Sequence, residues 1–161
     1  MKKKLIAIAL LLTIPLAVVR AEPQEKVKLA SQVPESYTPG LGDIMGPIQM
    51  RHAKLWFAGA NGNWGLAAYE LDEIKEGFGD AIRYQPDFKG RPVAQMVEEI
   101  VEPQLAVVEK AIEAKSKQRF IQAFTQLTQA CNTCHKSAGY GFISIQRPTE
   151  PPYSNQQFKV Q

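Results

Sequence analysis

The sequence predicts an all-α protein, an antiparallel four-helix bundle followed by an irregular tail. Two observations carry this. Between residues 41 and 137, apolar side chains recur at three-and-four spacing, the period of an amphipathic helix, not at the alternation of a strand. Four such stretches are present, and short connections between successive helices favour antiparallel neighbours. At 161 residues the chain has the size of one domain.

The first 40 residues stand apart from this pattern. Lys2, Lys3 and Lys4 precede an apolar run from Leu5 to Val19, and Val19-Arg20-Ala21 offers small residues at a cleavage point. Residues 1–21 therefore read as a secretory signal peptide cut after Ala21, which sends the protein to the periplasm. An uncleaved membrane anchor is the alternative, but the run is short for a span and contains Pro15. The whole chain has 19 basic and 16 acidic residues; losing the signal peptide leaves 15 against 16. A net charge near −1 gives no electrostatic support for nucleic-acid or anionic-membrane binding. Residues 22–40, with Pro23, Pro34 and Pro39, read as an irregular lead-in.

The domain proper spans residues 41–138. Its first helix runs from about Leu41 to Ala58, with Leu41, Ile44, Met45, Ile48, His52, Leu55 and Trp56 on one face. Pro47 predicts a kink, or a helix that starts only there. Gly59 to Asn63 forms a turn, and Asn63 is a natural N-cap for the second helix, Trp64 to Gly77. That helix carries Trp64, Ala67, Ala68, Leu71, Ile74 and Phe78 along its apolar stripe, with carboxylates on a wet face. A connector from Gly79 to Pro92 follows. The third helix, Val93 to Ala114, holds Pro103, where a kink or a break is expected. The fourth, Ser116 to Ser137, aligns Phe120, Ala123, Phe124, Leu127, Cys131 and Cys134 and is stopped by Gly139. Residues 139–161 form a tail in which Phe142-Ile143-Ser144-Ile145 is a brief β-like run, and Pro148, Pro151 and Pro152 rule out a fifth helix.

The chemistry is concentrated in Cys131-Asn132-Thr133-Cys134-His135, the Cys-x-x-Cys-His signature of covalent c-type haem attachment. At about 100° per residue, Cys134 lies roughly 300° and His135 roughly 40° round the helix from Cys131, so all three point to one side. A structural disulfide, a thioredoxin-like pair and half a zinc site are the plainer readings. The redox pair wants a strand–turn–helix context and zinc wants further Cys or His at ligand spacing; neither is present. The sequence thus predicts one haem c, with Cys131 and Cys134 as thioether anchors and His135 as the proximal iron ligand.

Four helices with this motif at the end of the last one resemble the cytochrome c′ and low-spin cytochrome c556 family. The resemblance covers about residues 40–138. Arg51-His52-Ala53-Lys54-Leu55-Trp56, Asn63-Trp64 and Tyr69-Glu70 also resemble a branch of bacterial haem proteins within this group. The chain departs from the family in its long tail, which would cover the haem edge or drape over the bundle. The resemblance implies a distal ligand on the first helix and places Met45 there. His52, seven residues on and roughly 10 Å along the axis, is the alternative ligand. Its plainer role is a core histidine satisfied by Tyr69, Glu70 or backbone. Arg51, Lys136 and Arg147 are potential partners for haem propionates, although each taken alone reads first as a solvated surface charge.

A thioether at the sixth position gives a low-spin electron carrier; an aliphatic one leaves a five-coordinate iron open to NO or CO. Met45 favours a periplasmic electron-transfer cytochrome with His/Met-ligated iron, served by redox partner proteins. A gas-binding or gas-sensing haem protein is the alternative. An enzyme of peroxidase type ranks last, because His52 alone makes no distal acid–base constellation. The resemblance also allows a homodimer through the first two helices.

Overall fold

A computed structural model describes residues 37–160, and the account below concerns the unit that begins at Thr38. The expected signal peptide (1–21) and nearly all of the lead-in (22–40) lie outside the described residues. The described chain is all-helical apart from its loops and tail. Helix α1 spans Leu41–Ala60, α2 Trp64–Tyr84, α3 Val93–Met96, α4 Glu102–Glu113 and α5 Lys117–Ser137. A π-helical turn, Val97–Val101, joins α3 to α4.

Helix α1 begins at Leu41, not at Pro47. Asp43 accepts a hydrogen bond from the Gly40 N–H at 3.2 Å, satisfying a donor that the first turn leaves free. Pro47 then costs a single in-helix bond, to the Asp43 carbonyl, so the helix runs through it. Its far end is closed twice over: Gly62 N–H bonds Gly59 O, and Asn63 N–H bonds Ala58 O, with Gly62 at φ +73°. Asn63 then caps α2 through a bond from Leu66 N–H, as expected.

Helix α2 corrects the sequence reading in two ways. It continues past Gly77 to Tyr84, because Phe78 and Ala81 are buried and an exposed Gly79 costs only about 1 kcal/mol. It stops ahead of Pro86. Ala68 is exposed rather than in the stripe, and the residue buried without trace is Glu70.

Pro103 is accommodated by the π turn. The Glu102 N–H reaches back five residues to Val97 O, so the wider turn sits immediately before the proline that has no N–H to give. The third rod therefore bends its hydrogen-bond ladder without ending. Ser116 caps α5, accepting from Arg119 N–H.

Helix α1 packs chiefly on α2, and α4 chiefly on α5; α2 also meets α4 and α1 meets α5. Leu55, Ala58, Ala67, Val108, Phe120 and Phe124 are completely buried between them. Phe120 lies so close to Gly59 that a Cβ there would sit 2.2 Å from its ring. Trp56 stacks beside Phe120 and Phe124, with ring centroids 6.3 and 5.1 Å away. Both tryptophans of the chain are packing residues, as expected.

The tail makes no strand at Phe142–Ile145. Its backbone instead pairs with a side chain: Asn132 Nδ2 donates to Ile145 O at 2.8 Å and its Oδ1 accepts from Ile145 N–H at 2.7 Å. Beyond it the tail follows α1. Arg147 lies 4.9 Å from the Trp56 ring centroid, Tyr153 donates to Met50 Sδ at 3.0 Å, and Phe158 is buried against Phe57.

Candidate functional site

The last turns of α5 bring Cys131, Cys134 and His135 to the wall of one cavity of about 390 Å³. The helix end is fixed by a complete αL cap. Gly139, at φ +83°, donates to Lys136 O at 3.0 Å, and Tyr140 N–H donates to His135 O at 2.7 Å. The cap turns the chain back, so that Ile143 O lies 2.8 Å from His135 Nδ1. A carbonyl only accepts, so Nδ1 carries the proton and Nε2 keeps a free lone pair. This is the tautomer of a histidine set to bind a metal through Nε2.

The two thiols are free and half-buried. Burial, with Cys134 adding to it, pushes the Cys131 thiol up to about 11, and burial raises Cys134 as well. Both are held protonated at neutral pH, the opposite of the lowered pKa of a reactive Cys-x-x-Cys pair. Zinc needs thiolates, and no cluster of three or more His, Cys, Asp or Glu suited to a metal ion occurs among the described residues.

The remaining walls are apolar: Met45 and Ile48 from α1, Phe78 from α2, Val93 and Met96 from α3, Val97 from the π turn. Met45 is half-buried and lines the cavity. His52 also lines the cavity but is otherwise committed. Thr128 gives its hydroxyl proton to Phe124 O at 2.9 Å, so its oxygen accepts the His52 Nε2–H, also at 2.9 Å. The imidazole stacks on Phe124 at 4.4 Å. Burial lowers its pKa to about 4, which keeps it neutral. It is a satisfied core histidine, though its partner is Thr128 rather than Tyr69, Glu70 or backbone.

The three basic residues weighed as propionate partners lie outside the cavity. Arg51 spans the α1–α2 interface, 3.2 Å from Glu70 and 2.7 Å from Glu73, and Arg147 lies over Trp56. Neither these two nor the exposed Lys136 lines the cavity; Arg91, from the connector, does. Sequence reasoning singles out neither Arg91 nor Met96 as a cavity residue. No local pattern separates either from an ordinary loop cation or core methionine. Gly46, Gln49, His52 and Ile145 also line a second hollow of about 450 Å³, between α1 and the tail.

No protein-family model, no curated protein and no solved structure matches the chain. The site speaks through its own donors. Two protonated thiols, one imidazole nitrogen preset for a metal, and apolar walls suit a large apolar metal-bearing group tethered through sulfur.

Proposed function

We propose that this chain is an exported monohaem c-type cytochrome, an electron carrier of the cytochrome c′/c556 type built as an antiparallel four-helix bundle. One observation carries the reading: both thiols of Cys-x-x-Cys-His and its histidine open into a single apolar cavity, with His135 Nδ1 bonded to Ile143 O and Nε2 left free. Haem bound there supplies a one-electron ferric/ferrous couple. Cys131 and Cys134 anchor it as thioethers, and His135 offers Nε2 to the iron. Met45 offers the thioether that completes a His/Met pair, since His52 already spends its Nε2–H on Thr128. Ile48, Phe78 and Val97 would give the group an apolar wall, which suits an electron carrier. The expected export signal accords with thioether formation outside the cytoplasm. The three-residue turns after α1 and α4 support antiparallel neighbours.

Acid–acetone extraction tests the attachment. Wild-type haem should stay with the protein, and Cys131→Ala with Cys134→Ala should release it. Extractable wild-type haem would end the proposal. Met45→Ala should turn a low-spin ferrous spectrum high-spin and admit CO, while His52→Ala should leave the spin state alone. The second reading, a five-coordinate gas-binding protein, is favoured by the second hollow, which reaches the same α1 residues from solvent. Rapid CO binding by the wild type, unchanged by either substitution, would put it first.

A further inference from the structure

The cavity mouth carries a feature that haem retention does not require. Phe88 and Tyr140, both at the cavity wall, have ring centroids 6.3 Å apart, and Tyr140 extends the group to Phe142 at 5.7 Å. Phe142 is 80% exposed and Ile143 beside it 42%, although both belong to a segment pinned by Asn132 and His135. Phe142 and Ile143, with Phe88 and Tyr140 behind them, make a contiguous apolar surface at the rim of the site, the kind that marks a contact.

Its surroundings are cationic. Lys89 Nζ lies 5.1 Å from the Phe88 ring centroid, Arg91 lines the mouth, and Lys136 packs beside Gly141. Three cations, Lys89, Arg91 and Lys136, stand beside the patch, and residues 79–92 add carboxylates only at Asp80 and Asp87. Asp87 is held by backbone, accepting from Gly90 N–H at 3.0 Å. The apolar patch is thus flanked by three cations, with the carboxylate next to Phe88 held by backbone.

We propose that this mouth is the docking face for an acidic electron-transfer protein, which seats an apolar centre on Phe142 and Ile143 and faces carboxylates to Lys89, Arg91 and Lys136. The identity of the exchanged species, one electron, rests on the haem reading above; the charge and shape of the face do not. Local charge of this kind steers encounter and fixes orientation more than it adds affinity.

The full exported protein is titrated with cytochrome b5, a small acidic redox protein used as a probe, and binding is followed by NMR shifts. Going from about 10 mM to about 150 mM salt contracts the screening length from about 30 to about 8 Å, and affinity should fall roughly tenfold. Lys89→Glu with Lys136→Glu should abolish binding at low salt. Lys110→Glu with Lys117→Glu, which changes net charge equally at exposed sites elsewhere, should leave it intact. Phe142→Ser should weaken binding several-fold. Equal damage from both charge pairs would reduce the effect to net charge and overturn the proposal, as would no binding by wild type or no effect of Phe142→Ser. A dimer in sedimentation that Phe142→Ser dissociates would assign the face to a second copy instead. Intact mass reports haem separately: a chain without haem sinks the electron-transfer role whatever the titration shows.

Discussion

Replacing His52 by Gln should remove a measurable part of the protein's acid sensitivity. The imidazole is 5% exposed, hydrogen-bonded to Thr128 and stacked on Phe124. Its pKa is lowered by burial from 6.5 to about 4. The folded protein therefore holds His52 neutral in a window where the unfolded chain protonates it. Because the folded value is the lower one, stability falls as pH drops through 6.5 and levels off below about 4. Linkage puts the loss between pH 8 and pH 5 at about 2 kcal/mol. Urea unfolding of wild type and His52→Gln at both pH values isolates this contribution from carboxylates common to the two proteins. At pH 8 the variant should be the less stable, having lost packing on Phe124. By pH 5 the gap should shrink by about 2 kcal/mol. A gap that stays the same at both pH values would refute a buried, neutral His52.

Three further outcomes follow from packing and charge. Arg51→Met leaves Glu70, wholly buried and with Oε1 unpartnered, without its cation; it should cost about 3 kcal/mol in urea unfolding, and adding Glu70→Leu should recover most of that. Gly59→Ala drives a Cβ into the immobile Phe120 ring and should lose about 1–3 kcal/mol. Gly79→Ala, at an open and exposed position inside α2, should gain about 0.5–1 kcal/mol. Thermal melts of the two alanine variants should therefore move in opposite directions.

What the sequence by itself determined is what neighbours within one helix determine. The apolar stripes, the Asn63 cap, the Gly139 stop and the one-sidedness of Cys131, Cys134 and His135 all follow from a period of 3.6 residues and the local demands of a helix end. Other features were decided by how the helices rotate against one another, which no local period encodes. Thr128 meets His52 across 76 residues of sequence, and Arg51 finds Glu70 across 19. Glu70 is one carboxylate among several on α2, and only contact with α1 makes it the buried one. Arg91 and Met96 reach the cavity because the connector and the third rod pass its mouth, and neither residue's neighbours mark it out. The histidine's readiness is also tertiary. His135 stood out from its motif, but its proton is set by Ile143 O, eight residues on, in a tail whose course depends on the Asn132 side chain holding Ile145.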